Sequence, residues 1–443
     1  MSERLNLLVF HCHDLGQYLG CYGVETVHSP NLDAFAAQGV RFARSFCTSP
    51  ICSPSRAALF TGRYPHSTGV MGLCHANFQW DLLPSERHLA QHLQAAGYAT
   101  GAVGVVHETR SGPERCGFER YVKPNKAAEV VDAALGMLGE FKNAGRPFYL
   151  QAGTAEPHRM KSTRDDPDRI GFLGEHLQPD SERGVWVPPF LQDTPSAREE
   201  LAELQGAIRH MDEQFGRLLA GLDALGLAAN TLVVFTTDHG IAFPRAKASC
   251  YEPGLQTALM LRLPSRAGWH GGRVLREMVS NVDAVPTWLE ALGVAVPSNA
   301  EGRSFRALLD GERYTPREEV FAEQTYLGAY LPIRSVRTER YKLIVNFTPG
   351  RAVYDPSQTW RPRAYPSGSP NPGAASMPLA ELYDLESDPW ERKNRFGDPA
   401  LAEVQRELQG RLGRHMRRTS DPLLDGPVTP PMHRQAVALL QGE

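Results

Sequence analysis

The chain has 443 residues, 42% of them hydrophobic and 22% charged, with 47 Lys and Arg facing 50 Asp and Glu. That apolar fraction excludes intrinsic disorder, and the near-balanced charge gives no reason to expect nucleic acid or a membrane as partner. No apolar run approaches the roughly 18 residues of a membrane span, and Leu5 to Phe10 is too short for a secretory leader, so a cytoplasmic protein is expected.

Asn6 to Phe10 is a continuous apolar run, as in a strand buried on both faces of a parallel sheet. A helix follows over Asn31 to Gln38, with Ser29 as N-cap, Pro30 at its first position and Gly39 as its stop. Further along, helical and strand patterns alternate. Ser85 to Ala96 reads as helix and Thr100 to Val106 as strand, then Ala127 to Phe141 as helix and Pro147 to Ala152 as strand. Over Ala197 to Leu225 the residues Leu201, Leu204, Ile208, Met211, Phe215, Leu218 and Leu222 make one apolar stripe at helical spacing. Thr231 to Thr236 is another buried strand and Val282 to Leu292 a further helix. The alternation argues an α/β fold, a large mostly parallel sheet sandwiched by helices. Near residue 325 the texture changes. Arg334 to Thr338 and Arg340 to Phe347 read as a hairpin, Pro349 to Pro378 as a long loop and Leu401 to Met416 as a terminal helix. Residues 1–325 are therefore expected to form a catalytic domain, and 326–443 a smaller α+β subdomain with an antiparallel sheet.

In open parallel sheets, ligands bind beyond the carboxyl ends of the strands. Four predicted strand ends here carry ionisable clusters: His11 to Asp14, His107-Glu108, Glu156 to Arg159 and Asp238-His239. Singly, Asp14 and Asp238 would be turn caps, and His107, His158 and Lys247 ordinary core or surface residues. On one sheet edge they read as a single site. His13, Asp14, Asp238 and His239 would bind a divalent cation, with His11 on the same strand face as His13.

The cysteines number 7, with no Cys-x-x-Cys among them, so a disulfide framework is not expected. One cysteine differs from the rest. In Cys52-Ser-Pro-Ser-Arg56, Pro54 suits a first helical turn and Gly62 a stop. Cys52 thus sits at a helix N-terminus, where amide donors favour an anion and a thiol is a candidate for a lowered pKa. Arg56 adds a positive charge. A metal, a reactive cysteine and an arginine fit a tetrahedral anionic group, sulfate or phosphate.

Cys52-Ser-Pro-Ser-Arg56 followed by Thr61-Gly62 resembles the signature of type I sulfatases, members of the alkaline-phosphatase-like superfamily. The resemblance extends over Asn6 to Tyr22, Ser29 to Phe42, Phe235 to Gly240, Arg337 to Leu343 and Leu382 to Pro389. Val70 to Leu73, Glu156 to Arg159 and Gly240 to Pro244 are most similar to the N-sulfoglucosamine sulfohydrolase (heparan N-sulfatase) branch. The resemblance implies hydrolysis of a sulfate ester or sulfamate on a small sulfated substrate. Cys52 would be oxidised to formylglycine by a formylglycine-generating enzyme, and a hydroxyl of its hydrate would attack sulfur. Arg56 would hold the hydrate, and His107 would act as base in sulfate release. His158 and Lys247 would contact sulfate or protonate the leaving atom. The metal would be calcium.

Two departures qualify this. His13 stands where the family has its first aspartate and His239 where it has asparagine or histidine, and two imidazoles in place of the common all-oxygen calcium site shift the preference toward manganese, zinc or iron. Val105 stands where the family has a lysine between formylglycine and sulfate. A phosphonate monoester or phosphodiester hydrolase, acting on a phosphorylated substrate, is the alternative, and a non-catalytic anion- or glycan-binding relative the next. A homo-oligomer is left open.

Overall fold

The structure, a computed structural model, describes residues 4–161, 170–172, 174, 176–350, 355, 356, 359, 361 and 376–442. Eight strands form the central sheet: β1 (Asn6–Cys12), β2 (Val40–Phe42), β3 (Ala99–Gly104), β4 (Arg120–Val122), β5 (Phe148–Gly153), β6 (Thr231–Thr237), β7 (Leu259–Arg262) and β8 (Arg273–Leu275). Their spatial order is β8-β2-β7-β6-β1-β5-β3-β4, and every pairing is parallel except the two made by β7. All residues of β1 are buried, as a strand covered on both faces requires. On one face, Phe10 and Phe235 pack against the helices Ala127–Ala144 and Pro195–Ala224. On the other, Val9 and Val234 pack against Cys52–Thr61, Leu89–Ala95 and Ala284–Ala291.

Register places the site. Cys12 pairs with Thr237, His11 with Gly153, and Gly153 with Gly104. The exits of β6, β1, β5 and β3 therefore lie side by side on one edge. β3 stops at Gly104, two residues before the sequence pattern does. Gly104 has φ 86°, and a Cβ there would lie 2.0 Å from the Gly153 carbonyl oxygen, so the chain must turn away.

Other boundaries also move. The expected Ser85 helix begins at Leu89, because His88 caps it by accepting from the Ala90 amide while Gln91 reaches back to the His88 amide. Ser29 precedes the helix Pro30–Gln38 but gives no side-chain cap. Asp212 does that work from 181 positions away, accepting from the amides of Asn31 at 3.1 Å and Leu32 at 2.7 Å. The helix expected from Val282 opens with a 3-10 turn and becomes α-helical over Ala284–Ala291.

The C-terminal sheet has four antiparallel strands in sequential order: β9 (Glu319–Tyr326), β10 (Tyr330–Thr338), β11 (Tyr341–Asn346) and β12 (Ala380–Asp384). The helix Ala402–Arg418 covers it through Leu408, Leu412 and Met416, in a cluster shared with Tyr64, Trp80 and Val282 of the larger sheet's surround. A helix that the sequence pattern did not mark, Pro431–Gln441, follows. Most of the expected 349–378 loop lies outside the described residues, as do 162–169, 173 and 175. Among the described residues, no helix is long and apolar enough to cross a membrane.

Candidate active site

The helix Cys52–Thr61 is buried throughout and ends at Gly62, whose φ of 72° is a left-handed stop. Its first turn faces the exits of β1 and β6. Ser55 donates to the Asp238 carbonyl, and Asn281 donates to the Ser55 carbonyl at 3.0 Å, fixing the helix against the strand. Gly240 lets the segment after β6 pass close by, because a Cβ there would lie 1.8 Å from the Pro253 carbonyl oxygen.

His13, Asp14, Cys52 and Asp238 each place one ligand atom within 4.8 Å of the others, and all are buried. His239 adjoins them, with Nε2 3.3 Å from Cys52 Sγ and 3.4 Å from Asp14 Oδ1. Its Nδ1 lies 3.0 Å from the Gly240 carbonyl and donates a hydrogen bond to it, which leaves Nε2 facing the cluster. His13 Nδ1 is 3.2 Å from Asp238 Oδ2. Burial alone would raise both carboxyl pKa values, but neighbouring cations and imidazoles outweigh it. Lys247 and then His158 hold Asp14 below the usual carboxylate range. His239 and Arg56 do the same for Asp238. Two ionised carboxylates and two imidazoles with inward nitrogens are a chemically suitable donor set for a divalent cation.

Cations surround this nest. Lys247 Nζ lies 2.9 and 2.8 Å from the two oxygens of Asp14 and 3.4 Å from His158 Nε2. Arg56 turns to the strand ends rather than into the space beside Cys52. It donates to Asp238 Oδ2 at 3.2 Å, to the Cys12 carbonyl at 3.1 Å and to His11 Nδ1. His11 is thereby engaged by Arg56, while its Nε2 abuts Gly153.

His107 stands with its ring centroid 5.3 Å from that of His13 and 5.0 Å from that of His75. Burial, then Arg56 and His75, lower its pKa to about 3, so it is a neutral imidazole near pH 7. It borders a cavity of about 250 Å³ whose wall includes His75, Val105, Arg110, Lys123 and Asn125. His158 is 3.6 Å from Asp14 and 41% exposed, the most open imidazole facing this carboxylate.

One sequence expectation is corrected. The Cys52 thiol is not acidified. Burial pushes its pKa up to about 12, with Asp238 and Asp14 adding to the rise and Lys247 and Arg56 opposing it. A helix N-terminus favours the thiolate, but full desolvation beside two carboxylates costs more. Arg159, within the strand-end cluster, is structural. It stacks on Phe172 and Phe243 and pairs with Glu200 at 2.9 Å. The sequence reading did not single out His75, whose place beside His107 depends on a loop carrying no motif.

A parallel sheet whose strand ends deliver carboxylates and imidazoles to a buried helix N-terminus defines an alkaline-phosphatase-like hydrolase fold. The chain belongs to the sulfatase family: the Sulfatase model matches residues 12–294, and the model described as N-sulphoglucosamine sulphohydrolase, C-terminal, matches residues 242–357. The chain is 28% identical to N-sulphoglucosamine sulphohydrolase of Homo sapiens, over 95% of this chain and 92% of that protein. An ulvan-active sulfatase of Formosa agariphila is 26% identical, over 98% and 84% of the two chains. Among solved structures, a protein in complex with its substrate D-glucosamine-2-N,6-O-disulfate superposes with a TM-score of 0.71 at 21% identity, covering 94% of this chain and 98% of that one. A 2-O GAG sulfatase superposes with a TM-score of 0.73 at 22% identity, covering 96% and 94%.

Proposed function

We propose that the protein hydrolyses a sulfate ester or sulfamate on a sulfated sugar, with formylglycine made from Cys52 and one divalent metal. The observation that carries this reading is the placement of Cys52 at the opening of a helix, 3.3 Å from His239 and within 4.8 Å of His13, Asp14 and Asp238. The raised pKa supports it too. A buried, un-ionised thiol is a poor nucleophile, and conversion of residue 52 would replace it. As formylglycine it would supply an aldehyde hydrate as oxygen nucleophile. His13, Asp14, Asp238 and His239 would hold the metal, which supplies Lewis acidity toward that nucleophile and the sulfuryl oxygens.

The chain's own residues divide the remaining work. Arg56 fixes Asp238 and the end of β1. Lys247, charged beside Asp14, presents a cation to the transferred group. His107 is neutral and so competent to accept a proton during release, and His158, on the exposed side, would be the residue that gives one to the leaving atom. The sulfamate branch of the reading rests on the likeness to the human N-sulphoglucosamine sulphohydrolase and to the C-terminal model.

The experiment is mass spectrometry of the intact peptide around Cys52, from protein made in a host that carries a formylglycine-generating enzyme. Aryl sulfate, glucosamine N-sulfate and aryl phosphonate esters are then assayed side by side. Formylglycine with turnover of a sulfate or sulfamate is expected. Unmodified Cys52 would sink the reading, and preference for the phosphonate would replace it with phosphonate monoester hydrolysis, which Val105 in place of a lysine favours.

A further inference from the structure

A second cluster lies away from Cys52. Glu156, in the turn after β5, is fully buried. One of its oxygens accepts from the amide of Ala127 at 2.9 Å, at the start of the helix Ala127–Ala144. The other lies 3.1 Å from Nε2 of His176, whose side chain is 24% exposed. His210, on the helix Pro195–Ala224, brings a third group. Its ring sits edge-on to that of His176 at 5.1 Å. One ligand atom from each of the three lies within 4.8 Å of the other two.

Pairwise hydrogen bonds do not satisfy this trio. Glu156 and His176 serve each other, while His210 Nε2 is a buried nitrogen with no hydrogen-bond partner among the described residues. Leaving such a group unpaired is unfavourable, because its lost hydration is not replaced. A cation at the centre would engage both rings and the free carboxylate oxygen together. The separation of 3.1 Å between Glu156 and His176 is close to that of two ligands on a tetrahedral ion with bonds of about 2 Å. The bond from Ala127 to the other Glu156 oxygen is the kind of outer support that orients a ligating carboxylate. With the His176 side partly open, water completes the coordination.

We propose that Glu156, His176 and His210 form a second metal site, selective for a divalent transition ion of the zinc class. Two imidazoles and one carboxylate exclude calcium and magnesium as preferred occupants. The ion would clasp three pieces of chain: the turn that leads into His158, the segment around His176 and the long helix. Its role is to order the segment beside the active-site edge, and its existence does not depend on the reaction assigned above.

The test uses the full-length protein, stripped with chelator, reloaded with zinc chloride alone and freed of excess by gel filtration. Zinc per chain is counted by elemental mass spectrometry for wild type, His176→Ala and His210→Ala, with circular dichroism as the check on folding. Any zinc at the Cys52 site contributes equally to all three, so the differences report the second site. Both variants are expected to hold one zinc fewer than wild type and to lose part of the zinc-induced rise in melting temperature. Equal zinc in all three proteins overturns the proposal, and so does a loss confined to one variant. If His210→Ala does not fold, His210→Gln takes its place, because it keeps most of the side-chain volume on the helix.

Discussion

The ammonium of Lys247 forks the carboxylate of Asp14, 2.9 Å from one oxygen and 2.8 Å from the other. Asp14 is fully buried, so its charge needs a cation. The same carboxylate is a proposed metal ligand. Lysine and metal therefore share one anion, and the contribution of each depends on the other.

Lys247→Met should separate the two roles. In chelator, the substitution leaves the buried Asp14 carboxylate without its cation and should cost about 3–5 kcal/mol of stability. With manganese or calcium in excess, the metal takes over that charge and the loss should shrink. Denaturant melts with and without metal measure this. An equal loss in both conditions would mean that the metal does not reach Asp14. On the proposed reading, turnover of a sulfated substrate should fall in either case, because the cation assigned to the transferred group is gone.

Arg56→Lys is the sharper test of the strand-end arrangement. One guanidinium serves Asp238, the Cys12 carbonyl and His11 from a rigid fork, and a lysine cannot reach three partners in those directions. We expect a loss of about 2–3 kcal/mol from the bonds left unmade. Metal affinity should also weaken, because Asp238 loses its orientation. Isothermal titration with manganese reads the second effect. Unchanged affinity would assign Arg56 to the reacting group alone.

The strand-end clusters were legible because ionisable residues directly after an apolar run have few bland explanations when four runs share them. Long-range pairings were not legible. Asp14 and Lys247 are 233 positions apart, and no pattern joins them. The same holds for Asp212, which caps a helix by accepting from Asn31 181 positions away, in place of the adjacent Ser29. The ionisation of Cys52 was misread for a physical reason. Its helix N-terminus and Arg56 are visible in the sequence, whereas complete burial beside two carboxylates is a property of the fold. β2 and β8, three residues each, are too short to carry a period, so the edge of the sheet came only from the structure.

The pH dependence of stability should show a descending limb above neutrality to which His66 contributes. Its Nδ1 meets Glu323 of β9, joining the large sheet's surround to the C-terminal sheet. Burial would lower its pKa, but Glu323 outweighs burial and raises it. A raised folded pKa contributes stability that is full below about pH 6.5 and is lost as pH rises through the folded value. His415, stacked nearby, acts the other way. Burial and then His66 bring its pKa down to about 2, so its contribution is lost as pH falls below the ordinary imidazole range. Above about pH 6.5 the two histidines are thus separated, and comparison of wild type with His66→Asn removes the share of other groups raised by burial, such as Glu391 at about 7 and the buried cysteines. His66→Asn should flatten the decline that begins at about pH 6.5 in urea melts. An unchanged slope would place the proton elsewhere.

Glu108 should prove to be a positioning residue for His107. It is fully buried, and each of its oxygens has its own partner: the His107 amide at 2.7 Å on one, Gln151 Nε2 at 2.7 Å on the other. His88 Nε2 stands 3.4 Å from the second oxygen, and His88, then Gln151 and His11, outweigh burial and bring the carboxyl pKa down to about 2. Glu108→Gln keeps the shape but turns an NH2 toward one of the two donors. The resulting clash should cost about 1–3 kcal/mol and release the His107 backbone. A shift of the ring by even about 1 Å lowers the rate of a step that needs aligned proton transfer. We therefore expect kcat to fall about tenfold or more with KM little changed, because no atom of Glu108 reaches the cavity beside His107. A matching rise in KM would instead mark Glu108 as part of the substrate surface, and an unaltered kcat would remove His107 from the rate-limiting chemistry.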